Sequence, residues 1–202
     1  GESGEYNVGI YSAAFKITSA IILIITAINS IMLPRLSYYY ENNRVEDIKT
    51  ILNTCYKIVI MFAVPIVIAC EIMPDYLIYL VCGEEFIIGS TALRIIAPII
   101  LFVGLSNLIG IQIFYSSGNI KKTIISVLGG AACNVVVNAI LIPFGGINGA
   151  AIGTLIAEFV VVLIQFKIGK ELLIFEKFNK DIVKYLISAI IMGLLILGLK
   201  II

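Results

Sequence analysis

The sequence predicts an all-α integral membrane bundle, and three observations carry that expectation. Of the 202 residues, 60% are hydrophobic and only 13% charged, with a mean hydropathy of +1.09, a composition unlike that of soluble domains. Six stretches are long and apolar enough to span a bilayer, at about 8–33, 50–73, 91–115, 122–142, 148–166 and 182–202. The charges between them are one-sided. Arg35, Arg44 and Lys49 follow the first stretch, Lys121 and Lys122 the third, and Lys167, Lys170, Lys177, Lys180 and Lys184 the fifth.

By the positive-inside rule those connections are cytoplasmic. The opposite ones carry Asp75, Glu84 and Glu85, or no charge at all in Pro143–Gly146, and the N-terminal tip carries Glu2 and Glu5. Six crossings in this orientation leave both ends outside. With Gly1 in place of a methionine and no signal sequence, the expectation is a piece of a longer protein, lacking at least one helix before Gly1 and one after Ile202. An inverted chain or a cleaved signal is the alternative.

Composition also excludes function classes. The net charge of +1, spread over short loops, offers no nucleic-acid footprint. Without histidine there is no zinc site of the usual kind and no histidine base. Cys55, Cys70, Cys82 and Cys133 form no C-x-x-C pair and read as small packing residues, and no phosphate-binding P-loop is present. No cofactor is expected.

The first stretch holds a lysine. At about 3.6 residues per turn, Ser12, Lys16, Ser19, Thr26 and Ser30 share one stripe. Ile10, Ile17, Ile21, Ile25, Ile28 and Met32 cover the opposite side, which suits lipid. A lysine at membrane depth costs roughly 2.5–3.5 kcal/mol, so Lys16 is expected to face a bundle interior or watery cavity; snorkelling to the surface is the alternative. Pro34–Arg35 is expected to end the helix and set Arg35 at headgroup level, opening a loop that runs to Lys49.

In the second helix Asn53, Lys57, Val64 and Glu71 line one face, and Pro65 is expected to kink it. MPDYLIYLVCGEEF then reads as an amphipathic segment at the interface, anchored by Tyr76 and Tyr79. The third helix carries Arg94 near its outer end and Gln112 near its inner end. Arg94 either snorkels, pairs with Glu84 or Glu85, or faces a cavity. The fourth sets Ser126, Gly130, Cys133 and Asn134 on one side with Asn138 a turn beyond, small residues for close approach and amides for packing or lining.

IPFGGINGAAIGT reads as a proline stop and a glycine turn before the fifth helix, whose polar stripe is Thr154, Glu158, Val161 and Gln165. Glu158 is either the counter-ion of Lys16 or Arg94, or a site for a proton or sodium ion. The sixth helix is expected to face lipid at the periphery, after a basic amphipathic loop resting on the inner leaflet.

VGIYSAAFKI, MLPRLS, CGEEF, YSSGNIKK and LIPFGGINGAAIGT together resemble the second half of polysaccharide-unit flippases of the Wzx type, within the MATE-like multidrug/oligosaccharidyl-lipid/polysaccharide exporter superfamily. The resemblance covers Val8 to about Lys184. It implies a whole protein of 12 to 14 helices in two bundles around a cavity, with residues 1–202 as most of the C-terminal bundle, in a bacterial cytoplasmic membrane. The implied activity is flipping of undecaprenyl-pyrophosphate-linked oligosaccharide repeat units to the outer leaflet for O-antigen, capsule or lipopolysaccharide synthesis.

On this resemblance Lys16, at the basic position of the YSAA-x-K motif, binds the pyrophosphate, followed by Arg35 at the inner mouth and by Lys57 and Arg94. Asn134, Asn138 and Gln112 meet sugar hydroxyls, while Glu71 and Glu158 couple to a proton or sodium ion. The polysaccharide polymerase machinery is an implied partner, alongside the bilayer itself. A drug/cation antiporter of the same superfamily, wanting acidic and aromatic cavity residues, and a lipid II flippase compete with this reading. A membrane enzyme would need a larger outer loop with catalytic residues, so no enzyme is expected.

Overall fold

At membrane depth no water satisfies a free N–H or C=O, so an apolar segment must close its hydrogen bonds within itself, and it does so as a helix. The computed structural model describes residues 2–173 and 180–201, and all regular structure among them is helical. In order these are α1 (Glu2–Ser30), α2 (Leu33–Glu41), α3 (Val45–Ile72), α4 (Pro74–Cys82), a 3-10 turn at Glu84–Gly89 and α5 (Ser90–Ile96). There follow α6 (Ile99–Asn107), a π-helical segment at Leu108–Tyr115, α7 (Ile120–Gly169) and α8 (Lys180–Ile201). Residues 174–179 of the basic loop expected on the inner leaflet, and the side chains of Glu2, Glu5 and Lys180, lie outside the described residues.

Among the described residues three stretches are long and apolar enough to cross a membrane, Tyr6–Glu41, Val45–Ile72 and Ile120–Gly169, and the bent pair Glu84–Ile96 and Ile99–Tyr115 makes a fourth. Proline behaves differently from expectation at three places. Pro34 does not end the first helix but sits in the first turn of α2, where its missing N–H costs nothing, so the expected loop is helical except at Asn42–Arg44. The third helix is not continuous: Pro98 breaks it, and its two parts meet at 49°. Pro143 stays helical, and the chain reverses at Gly146, whose φ of 51° and ψ of −125° only glycine adopts readily.

That reversal makes α7 a hairpin of two antiparallel halves, 120–145 and 147–169. The pairs in contact are centred on Gly145–Gly146: Leu141 with Gly149, Asn138 with Gly153, and Gly130 with Ala157 and Val161. A methyl group at any of these glycines would collide with its partner, so the small residues permit the close approach. At 50 residues a straight α7 would reach about 75 Å, more than twice a hydrocarbon core of about 30 Å, whereas each half matches it.

The isoleucine side of α1, which suits lipid by composition, is the packed side. Ile10 abuts Gly89, Ile17 joins a cluster with Ile78, Leu93, Ile96 and Ile99, and Ile25 meets Val59, Ala63 and Ile100. Lipid and protein interior are equally apolar, so composition cannot tell the two faces apart. α8 lies at the periphery, with Gly193 against Ile68 and Ile72 of α3 and most of its other large side chains exposed.

Candidate functional site

The crossing of α1, α6 and the α7 hairpin leaves a cleft of about 530 Å³. Tyr11 and Phe15 form its α1 wall, their rings stacked with centroids 6.0 Å apart, and Ser106 comes from α6. Asn134 stands on the first half of α7, Thr154 and Glu158 on the second. The Tyr11 hydroxyl and Thr154 Oγ1 are 2.9 Å apart, bonding α1 to the hairpin. Asn138 Nδ2 donates to Asn134 Oδ1 at 3.0 Å, one turn along the same helix. The Asn138 Oδ1 that remains is buried, lies against Gly153 and has no partner.

Glu158 is half-buried in this cleft and makes no ion pair among the described residues, so neither Lys16 nor Arg94 is its salt-bridge partner. Lys16 itself is exposed, one residue beyond Phe15 of the cleft wall. Two other members of its polar stripe, Thr26 and Ser30, return their hydroxyl protons to carbonyls one turn back in α1. Their polarity is satisfied internally, and Lys16 is the one charge on the stripe.

The other expected site residues lie elsewhere. Gln112 is wholly buried, and its amide donates to the Asn29 backbone oxygen at 2.8 Å, so it braces α1 and does not line the cleft. Lys57 is half-buried on α3 and already engaged by a neighbour. Arg94 is exposed and makes no ion pair among the described residues, with Glu84, Glu85 or any other carboxylate. Arg35 lines pockets at the α2–α3 turn. The cleft thus gathers Asn134, Glu158 and, through its bond, Asn138.

Sequence reading singled out neither Tyr11 nor Ser106 as site residues, nor Asn29, because each acquires its role from a partner far along the chain. The Tyr11–Thr154 contact spans 143 positions and the Gln165–Ser106 bond spans 59. A polar residue within the apolar length of a spanning helix is the signal that marks all three.

Residues 1–140 match the family model described as MatE. The chain belongs to the MatE family. Within the matched region lie Lys16, Asn134 and Asn138, with Thr154 and Glu158 beyond it. A Haloferax volcanii protein described as a probable low-salt glycan biosynthesis flippase, Agl15, is 28% identical over 153 residues, which are 74% of this chain and 32% of that protein. The solved structure of lipid II flippase MurJ in an inward closed conformation superposes with a TM-score of 0.79 over 94% of this chain and 40% of that one, at 18% identity. This MatE chain therefore shares its fold with that structure. It spans about a third of the glycan flippase and two fifths of MurJ.

Proposed function

We propose that this chain is one lobe of a flippase that carries a lipid-linked oligosaccharide from the inner to the outer leaflet of a bacterial cytoplasmic membrane, of the Wzx repeat-unit type. The observation that carries the reading is the cleft of a MatE fold that combines one amide, backed by a second at Asn138, with three hydroxyls and one carboxylate beside an exposed cation. Asn134, Asn138, Tyr11 and Thr154 supply neutral donors and acceptors suited to sugar hydroxyls. Lys16 supplies the positive charge a pyrophosphate needs, worth more in a partly dry cavity than in water.

In this mechanism the lobe contributes six crossings, the two halves of α7 counting separately, with the basic connections on the cytoplasmic side. It rocks against a second bundle, so the cleft opens to one leaflet and then the other. Glu158 takes up a proton or sodium ion and couples its gradient to that motion, with Glu71 as the second coupling acid. The described functions of the glycan and lipid II flippases support a lipid-linked substrate.

A second reading, a cation antiporter, rests on one observation: the cleft sets the Glu158 carboxylate opposite the stacked rings of Tyr11 and Phe15, a combination that attracts organic cations. The deciding experiment removes the whole protein from cells and follows lipid-linked saccharides by leaflet. Units trapped on the inner leaflet establish flipping. No accumulation together with raised drug sensitivity establishes the antiporter.

A further inference from the structure

The run Tyr6–Glu41 has 36 residues, about 54 Å of helix against a hydrocarbon core of about 30 Å. Its polar end is α2, LPRLSYYYE, which folds back on the first turns of α3 through Asn42–Arg44, where Asn43 takes a φ of 52°. A proline, an arginine and three tyrosines at the end of a spanning helix have the chemistry of the headgroup zone.

Two pockets open on this α2–α3 hairpin and share Arg35 and Tyr39. One of about 360 Å³ is lined by Pro34, Arg35, Tyr38, Tyr39 and Arg44, two guanidiniums and two phenols with no carboxylate. The other, about 270 Å³, adds Asp47 and the start of α3. Arg44 is held in place: its Nε donates to Asp47 Oδ2 at 2.7 Å, and its guanidinium lies 4.8 Å from the Tyr39 ring centroid. That geometry leaves its terminal nitrogens free. Arg35 is exposed and has no ion pair among the described residues. Among the residues lining the two pockets, two guanidiniums face one carboxylate, so the lining is net positive although the hairpin as a whole, with Glu41, Glu46 and Lys49, is neutral, and a fixed fork of guanidinium donors matches phosphate oxygens.

We propose that this double pocket binds the phosphodiester headgroup of an anionic membrane phospholipid, with Arg35 and Arg44 forking the phosphate and Tyr38 and Tyr39 closing its rim. The site is separate from the Asn134–Glu158 cleft and stands whether or not the chain flips a saccharide. Lipid phosphate is the shared chemistry of a bilayer phospholipid and of a lipid-linked diphosphate, so the test must separate the two.

Native mass spectrometry of the whole protein in detergent does this, using short-chain phosphatidylglycerol, phosphatidylcholine and farnesyl diphosphate as probes. The expected result is retention of phosphatidylglycerol over phosphatidylcholine, weakened about tenfold in R35Q/R44Q and partly restored in R35K/R44K. Both arginines are exposed and the Arg44–Asp47 pair lies at the surface, where its loss costs little, so the variants stay folded with unfolding midpoints close to the wild type. Equal retention of the two phospholipids, or undiminished phosphatidylglycerol binding in R35Q/R44Q, overturns the site. Displacement of phosphatidylglycerol by equimolar farnesyl diphosphate overturns the phospholipid assignment and gives the pocket to the diphosphate of a lipid-linked substrate; failure to displace it supports the assignment.

Discussion

Gln112 of the π-helical segment donates its side-chain amide to the backbone oxygen of Asn29 in α1 at 2.8 Å, across 83 positions of chain. Both residues are wholly buried, and the Gln112 Oε1 and both Asn29 side-chain polar atoms have no hydrogen-bond partner. The contact fastens the least regular helix of the lobe to the one that carries Lys16. Gln112→Leu is expected to lower stability by about 1 kcal/mol, read from thermal unfolding in detergent, while transport per folded molecule stays at the wild-type level. A transport loss at unchanged stability would return Gln112 to the substrate path.

The α7 hairpin makes a contrast between two glycines eight residues apart. Gly153→Val drives a side chain into Asn138 and is expected to cost about 1–3 kcal/mol, as overpacking does. Gly145→Ala meets nothing within 4 Å and is expected to change stability by less than about 0.5 kcal/mol. Unfolding midpoints of the two variants, measured side by side, check the antiparallel pairing.

Between Ser12 and Ser30, Lys16 is the only charge on its stripe of α1, and it is exposed next to the cleft wall. Lys16→Ala is expected to abolish transport with expression and unfolding midpoint unchanged, and Lys16→Arg to retain part of the activity. Restoration of surface polysaccharide by the alanine variant in cells lacking the protein would count against a cationic site.

Glu158 has no ionic partner among the described residues, so its carboxylate is open to an external cation. Glu158→Gln keeps shape and hydrogen-bonding capacity while removing the charge. Its transport rate is expected to fall about tenfold or more and to become indifferent to collapse of the ion gradient, read in vesicles with and without an ionophore. A variant that still responds to the gradient would leave the coupling to Glu71.

Several apolar helices were legible, because sustained apolar runs and alternating loop charges are direct imprints of the membrane, whereas the polar α2 lay in a stretch that read as a loop. Helix breaks were legible only where glycine was involved. Gly146 turns the chain at the expected junction, yet Pro34 and Pro143 sit within helices and Pro98 makes an unexpected bend. A missing N–H matters only where a carbonyl depends on it, and position in the finished helix settles that. Of the expected site residues, Asn134 and Asn138 bond to each other at a readable i, i+4 spacing on one helix, whereas Glu158 joins Asn134 in the cleft only because the α7 hairpin folds back. The Gln112 bond to Asn29 was not readable, being a contact between helices far apart in the chain.

What the sequence by itself determined is the class of molecule: a chain this apolar, with its polar residues sparse and placed on stripes, must bury its backbone in helices that lie in a membrane. What only the tertiary structure decided is which stripe faces what. The isoleucine side of α1 turned inward and Lys16 outward, because lipid and protein interior offer an isoleucine the same apolar surroundings, and only close packing against α3, α5 and α6 distinguishes them.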